Sequence, residues 1–396
     1  MHKRLFLTGA TLIFLVTATI FLVLYGSGYR LAFNQHKVSL SGTGLFVATS
    51  TPDGASVFLN RRLTSATNTT LNLPPGTYDV KITKDGYIAW EKKLTVQEEI
   101  VTKAQALLLP LAPKLESITA IGANNPTIDP TGTRIAFLVA TSTPKKNGVY
   151  LLDMAGRPIL TLQNSTQLGD DIYVTFSKSA LSWSPNGKDI IASVSAGANL
   201  TQTFLLVPDK FTQTPLEQSV DLPLIKAQWD KEAEEKEKAR LASLTPKVAK
   251  MVRDVFGQSK FSPDETKVLY VASASATLEK VIIPPLPGSN TQPEERTIVA
   301  GKLYIYDIKE DKNFFISDRP ERLASLSWMP NSYHLAFIED KKVKIMEYDG
   351  TNRNVLYSGP LSSDFVAPWP DGSKLVVLTN LGAEGIEPNL YTISLR

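Results

Sequence analysis

Hydrophobic and polar positions follow three regimes along this chain. The first is one uncharged run, LFLTGATLIFLVTATIFLVLY, from Leu5 to Tyr25, preceded by Met1-His2-Lys3-Arg4. As a helix rising about 1.5 Å per residue it spans roughly 31 Å, close to the thickness of a bilayer hydrocarbon core. The pattern predicts a cytoplasmic tip and transmembrane helix over 1–25. A cleaved signal peptide is the alternative, but its apolar region usually runs only about 7–15 residues, and Gly26-Ser27-Gly28 is the one weak cleavage candidate. Lys3 and Arg4 ahead of the span favour a cytoplasmic N-terminus, with Arg30 and Lys37 just beyond it acting in the opposite sense. Long C-terminal domains translocate largely regardless of charge, so the bulk of the chain is expected on the extracytoplasmic side.

After a spacer over 26–44, the period changes to two. GLFVATSTPDGASVFLNRRL reads as strand, turn, strand, with Val57 and Leu59 on one face. Pro52 presets φ for the turn and Gly54 accepts positive φ. Pro74-Pro75-Gly76 makes the next turn, TYDVKIT alternates Tyr78, Val80 and Ile82, and Lys84-Asp85-Gly86 leads into YIAWEKKLTV. STPDGASVFLN followed by LPPGTYDVKITKDGYIAWEKKLTV resembles a PEGA domain, a small β module of bacterial surface and envelope proteins. The resemblance covers 45–109, with the signature tetrapeptide as Pro52-Asp53-Gly54-Ala55 and later pieces at Pro75, Gly76, Gly86 and Tyr87. Turn geometry explains these residues without a ligand. The resemblance implies a non-enzymatic module displayed outside the membrane.

A Pro-containing boundary at 110–116 precedes the third regime, a repeat. Five units align on a hydrophobic residue, a Pro, a turn and an apolar strand: TIDPTGTRIAFLV, SWSPNGKDIIASV, KFSPDETKVLYVA, SWMPNSYHLAFIE and PWPDGSKLVVLTN. The hydrophobic residue stands two before the Pro in four of them, whereas Trp369 directly precedes Pro370. The shortest interval, Pro330 to Pro370, is close to the ~40–45 residues of one four-stranded propeller blade. Third strands follow in GVYLLDMAG, TFLLV, GKLYIYDIKED, KVKIMEYDGTNR and NLYTISL, and fourth strands in PILTL and NVLY. The last unit has no fourth strand, and a segment near Leu115 to Ile121 is placed to supply one and close the ring. The units resemble the WD-like, SPDG-type repeats of TolB propellers over 117–396, with Glu265 and Ser332 replacing the turn Gly. A degenerate sixth unit has two candidate places, Gly169 to Phe176 and Pro215 to Gln228. The expected architecture is all-β: an N-terminal transmembrane helix, a small PEGA-like β-sandwich or meander, and a β-propeller of five or six blades with a helical insertion.

Two insertions interrupt the repeat. Over 229–256, DKEAEEKEKARLASL reads as a solvated charged helix. Thr245-Pro246 then starts a second helix that sets Val248, Met251, Val252, Val255 and Phe256 on one apolar face and stops at Gly257. That face either packs on the propeller or docks a partner. Over 276–300, VIIPPLPGSNTQPEER is Pro-rich and extended, expected as an ordered loop over one propeller face or as a Pro-rich ligand.

Composition narrows the chemistry. The 42 basic and 39 acidic residues leave +3, no field that would gather nucleic acid, and there is no cysteine for disulfides or thiolate sites. The three histidines, His2, His36 and His334, are too scattered for a metal cluster, and His334 reads as a structural strand residue. No catalytic motif is found, so no catalytic, metal or cofactor residues are expected. The acidic pairs Asp170–Asp171 and Glu294–Glu295 read as solvated. The expected function is a membrane-anchored extracytoplasmic binding or scaffolding protein of the cell envelope, contacting protein or cell-wall glycan. The alternative is an extracellular propeller enzyme acting on glycans or peptides.

Overall fold

The N-terminal run folds as α1 (His2–Gly26). Its stretch Phe6–Val23 has mean hydropathy 2.3 with none of it buried, long and apolar enough to cross a membrane. Its threonine hydroxyls do not oppose that: Thr11, Thr17 and Thr19 donate to the carbonyls of Leu7, Ile13 and Leu15, one turn back. The computed structural model describes residues 2–26, 30–34, 37–155, 165–197 and 200–396. The expected strand PILTL, His36 and the cleavage candidate at Ser27-Gly28 lie outside the described residues. The chain forms two compact units, Met1–Leu108 with Ile282–Pro293, and Leu109–Val281 with Glu294–Arg396.

In the first unit, the segment read as a plain spacer carries an antiparallel hairpin of β1 (Arg30–Asn34) and β2 (Lys37–Ser41). Seven strands follow: β3 (Gly44–Thr51), β4 (Ser56–Leu59), β5 (Arg62–Ala66), β6 (Thr69–Leu73), β7 (Gly76–Thr83), β8 (Trp90–Val96) and β9 (Val101–Leu107). They form two sheets, β5-β4-β7-β8 and β6-β3-β9, and β9 runs parallel to β3. Period-two alternation sends Phe46 and Ala48, Val57 and Leu59, Val80 and Ile82, Leu94 and Val96, and Ala104 and Ala106 into one shared core with Trp90. Each large buried side chain there contributes about 1.5–3 kcal/mol.

Among the described residues the second unit is a five-bladed propeller. Blade one is β11 (Asn124–Ile128), β12 (Arg134–Val139), β13 (Gly148–Asp153) and β14 (Ser165–Gly169). Blade two has β15 (Ala180–Trp183), β16 (Ile190–Ser195) and β17 (Thr201–Leu206), its fourth strand reduced to a single bridge between Phe204 and Glu217. Two helices intervene, α2 (Leu222–Ser243) and α3 (Pro246–Asp254). Blade three is β18 (Phe256–Phe261), β19 (Lys267–Ala272), β22 (Leu303–Asp307) and β23 (Lys312–Ser317), with the ribbon β20 (Ala276–Thr277) and β21 (Thr297–Ile298) inserted between its second and third strands. After α4 (Arg322–Ser325), blade four is β24 (Ser327–Trp328), β25 (His334–Glu339), β26 (Lys342–Glu347) and β27 (Asn354–Ser358). Blade five is β28 (Val366–Pro368), β29 (Lys374–Thr379) and β30 (Asn389–Ser394), completed by β10 (Leu115–Ser117), which pairs antiparallel with β30. The early strand thus closes the ring and removes the open edge.

The repeat has one hydrogen-bonding frame. The N–H groups of Asp129, Ser184, Ser262, Met329 and Trp369 each bond the carbonyl five residues on, and their carbonyls accept from the N–H three residues on. The residue three on has positive φ in all five: Gly132, Gly187, Glu265, Ser332 and Gly372. Glu265 and Ser332 accept this left-handed geometry at a cost of about 1–2 kcal/mol each. Compensation is visible: Ser332 Oγ accepts the Asp264 N–H at 3.0 Å, and Glu265 Oε1 accepts from Arg240 at 3.1 Å. The hydrophobic residue before the turn ties blades together, as Trp183 Nε1 donates to Thr127 O and Trp328 Nε1 to Lys260 O.

Three sequence expectations need correction. α2 begins at Leu222, ahead of the expected Trp229, because Pro223 lies at its start and suits a helix N-terminus. Pro215 to Gln228 therefore supplies the bridge at Glu217 and the head of α2, and Gly169 to Phe176 ends β14 and enters a turn, so neither forms a further sheet among the described residues. Finally, the Pro-rich stretch does not stay with the propeller: Ile282–Pro293 belongs to the first unit, and only the flanking ribbon remains with the second.

Candidate functional site

The apolar face expected on α3 is divided by the fold. Val248 and Val252 are buried in the core of blade three with Val268, Tyr270 and Tyr304. Phe256 has left the helix for β18, because Val255 departs from helical φ and ψ. Its ring stacks on Tyr270 with centroids 3.7 Å apart. These three side chains are taken up in packing and are closed to a partner. Met251 and Val255 lie on the helix flank, half-buried, and line a groove of about 170 Å³ with Ala276, Thr277, Leu278 and Val281. Lys247, Lys250, Asp254 and Glu279 make its rim. The rim carries both signs, and Lys250 lies 3.7 Å from Asp254 in an exposed pair. An apolar floor with a mixed-charge rim suits a peptide side chain better than a strongly charged ligand.

Behind the groove, blade three holds a buried polar network that the sequence did not announce. Tyr306 donates its hydroxyl to Asp311 Oδ1 at 2.7 Å, the Val281 N–H donates to Asp311 Oδ2 at 2.7 Å, and Arg296 Nη2 lies 3.2 Å from Asp311 Oδ1. Tyr270 donates to Asn313 Oδ1 at 2.9 Å, and Asn313 Nδ2 donates to Glu295 O at 2.6 Å. Burial pushes both phenols well above the ordinary value, and Asp311 reinforces this for Tyr306. They stay protonated as donors, fastening the inserted ribbon to the blade rather than serving as bases. The alternation of Tyr304 and Tyr306 in GKLYIYDIKED was the available signal, since a buried Tyr needs a partner for its hydroxyl.

The other singled-out residues have structural roles. At the signature turn, Gly54 has φ +68°, Asp53 O accepts Lys84 Nζ at 2.8 Å, and buried Ala55 donates its N–H to Thr67 Oγ1 at 2.9 Å. Pro52 O accepts Ser50 Oγ, Gly86 has φ +82°, and Tyr87 packs against the first unit's core. Pro75 lies in the bend before β7, and Gly76 is that strand's first residue. His334 is buried on β25 with Nδ1 3.0 Å from Asn331 Nδ2. The acidic pairs are not simply solvated: Asp171 accepts from the N–H and hydroxyl of Ser177, and Glu294 lies 3.0 Å from Arg296. Among the described residues no cluster of His, Cys, Asp and Glu could hold a metal ion.

Residues 43–111 match the PEGA domain. The chain therefore joins a PEGA domain to a β-propeller. No curated protein matches the chain. Similar solved structures include a TolB from Agrobacterium tumefaciens (12% identity, 77% of this chain and 81% of that one, TM-score 0.23). Others are TolB from Acinetobacter baumannii (15%, 80% and 59%, 0.22) and the β-propeller domain of the Trilobed protease from Pyrococcus furiosus (12%, 89% and 82%, 0.18). Overlays at these scores carry no argument. The propeller assignment rests on the sheet order and on the five-fold turn frame.

Proposed function

We propose that this chain is a membrane-anchored, extracytoplasmic binding or scaffolding protein of the bacterial cell envelope, acting through contacts of its PEGA domain and propeller with protein or cell-wall glycan. The observation that carries the reading is α1, whose apolar stretch Phe6–Val23 has no protein surface covering it. Exposing such a helix to water forfeits tens of kcal/mol of apolar transfer at about 25 cal/mol per Å², and a bilayer removes that cost. Lys3 and Arg4 keep the N-terminus on the cytoplasmic side. The groove beside α3 is the propeller's candidate contact site, with Met251 and Val255 as the side chains a partner would meet. The perturbed groups of blade three are engaged in holding the fold, which favours binding over catalysis.

The chain has no cysteine, so single-cysteine variants report topology without background. Tyr173 is 74% exposed. Tyr173→Cys is expected to react with a membrane-impermeant maleimide in intact cells, or in spheroplasts if an outer membrane is present. The protein is expected to sediment with membranes and resist high-salt extraction. Labelling only after lysis, or recovery in the soluble fraction, would refute the reading. Crosslinking of intact cells is expected to recover a discrete partner, and Met251→Asp is expected to weaken its capture without unfolding the protein.

A further inference from the structure

Among the described residues β8 and β9 are edge strands: β8 pairs only with β7, and β9 only with β3. They adjoin, Thr102 Oγ1 of β9 donating to Thr95 O of β8. Unpaired edges present free N–H and C=O groups and invite another strand. Here the inserted segment Ile282–Pro293 lies on them. Gln292 Nε2 donates to Lys93 O at 2.6 Å, and Thr291 Oγ1 accepts the Thr95 N–H at 3.3 Å. Lys93 and Thr95 are two apart on one strand, so that carbonyl and that N–H point to the same side and are the pair a single residue of a neighbouring strand would engage. The Gln292 N–H is engaged within the segment, donating to Asn290 Oδ1 at 2.9 Å, and the Gln292 side-chain amide and the Thr291 hydroxyl take the place of that rung. Gly288 completes the fit. Its φ is +72°, and a Cβ there would fall 2.7 Å from Val101 O on β9. From Ile283 to Gly288 the segment is otherwise exposed.

We propose that the β8–β9 edge of the PEGA domain is a peptide-docking site and that the protein's own segment Ile282–Pro293 is its resident occupant. The ligand class is a proline-containing chain that turns at a glycine on the approach to Val101 and then offers an amide donor to Lys93 O and an oxygen acceptor to Thr95 N–H. This is strand-edge recognition with side chains replacing part of the main-chain ladder. Because the occupant is joined to the same chain, its effective concentration is of the order of millimolar, and a free peptide of the same sequence competes poorly. The inference places a binding edge within the binding-protein reading. Its test uses purified protein and does not depend on membrane topology, so the two ideas fail separately.

The probe is a fluorescent synthetic peptide of residues 282–293, followed by anisotropy. The target is the full chain in detergent with 283–292 replaced by a Gly/Ser linker of equal length. Saturable binding is expected to the replaced protein, about tenfold or more weaker to the intact one, and absent for a peptide carrying Gly288→Val. Equal binding to both proteins, equal binding of the Gly288→Val peptide, or no binding to a replaced protein with native circular dichroism would overturn the proposal. Should the replaced protein not fold, hydrogen exchange decides. Thr291→Ala in the otherwise unaltered chain is expected to speed exchange at the Thr95 amide several-fold, and unchanged exchange there would overturn the proposal equally.

Discussion

Lys267 and Asp307 face each other directly across β19 and β22, and their side chains are only 4% and 3% exposed. The ammonium lies 3.6 Å from Asp307 Oδ2 and stands over the rings of Tyr333 and Tyr348 at 4.6 and 4.8 Å, so it joins blade three to blade four. At an effective dielectric of about 20, two unit charges at this separation attract by about 4–5 kcal/mol. Desolvation offsets much of that. Burial holds the Asp307 carboxyl above its usual range even though Lys267 and the Glu310 N–H pull it down. The pair as a whole is therefore worth little net, while removing one member strands the other. Lys267→Met keeps the aliphatic stem but takes away the cation, and is expected to cost about 3–5 kcal/mol at pH 7.5. With a urea slope of about 2–3 kcal/mol/M, the unfolding midpoint falls by about 1–2.5 M. Tryptophan fluorescence reads this, since Trp183, Trp328 and Trp369 stand in or beside the repeat turns. The pH dependence supplies a second criterion. A carboxyl whose folded pKa is raised gives stability that is present below the unfolded pKa and lost as pH rises through the folded one. Loss of the cation raises that folded pKa further. The deficit of Lys267→Met relative to the unaltered protein is therefore expected to be largest at pH 7.5 and to narrow as pH falls toward 5. The double variant Lys267→Met/Asp307→Asn, which keeps an acceptor for Glu310 N–H, is expected to recover at least half of the loss. A deficit under about 1 kcal/mol, a deficit independent of pH, or a double variant no better than the single would refute this account.

Other substitutions test separate parts of the fold. Gly148→Ala would put a Cβ 1.9 Å from Gly169 O at a position with φ +126°, and is expected to cost about 3 kcal/mol or more in thermal or urea unfolding. Trp328→Phe keeps most of the packing but removes the donor to Lys260 O, with an expected loss of about 1–2 kcal/mol by urea unfolding. The hydrogen bond from Lys344, which outweighs burial, together with Arg322, holds the Glu339 carboxyl below its usual range. Its contribution is thus present above the unfolded pKa and lost as pH falls through the folded one. Glu339→Gln is expected to cost about 2 kcal/mol at pH 7, with a gap that closes as pH drops below about 4.5, followed by denaturant midpoints across that range.

What could be read from the sequence was local. The repeat turns were legible because each is closed within five residues by two backbone hydrogen bonds, which Pro and Gly advertise. Even where Glu265 and Ser332 hid the glycine, the surrounding pattern held, and the reason for tolerance lay in distant partners, Arg240 and Asp264, that no local pattern exposes. The ring-closing strand near Leu115 was foreseeable from the missing fourth strand of the last unit. The apolar spacing on α3 marked a stripe, but spacing cannot say what covers it: blade three claims Val248, Val252 and Phe256, and Met251 and Val255 stay half-buried. Least legible was the seat of Ile282–Pro293, whose bonds to Lys93 and Thr95 join residues far apart in sequence. Polar side-chain contacts of that kind leave no hydrophobic period behind.

The pairing of β10 with β30 bears on how the protein reaches its final form. The Glu116 carbonyl accepts the Thr392 hydroxyl across a separation of 276 residues, so one strand of the last blade leaves the ribosome long before the other three. The PEGA domain's two main sheets pair residues no farther apart than β3 and β9 and are able to assemble while synthesis continues. Ring closure instead waits for β30, more than 270 residues after β10, and by the dependence of folding speed on contact separation it is among the slowest events. Until then β30 and the early strand are both unpaired edges, exposed to stray association. Ring closure in this propeller therefore hangs on β30: a chain stalled or cut before Asn389 leaves an open ring, however well its first four blades have formed.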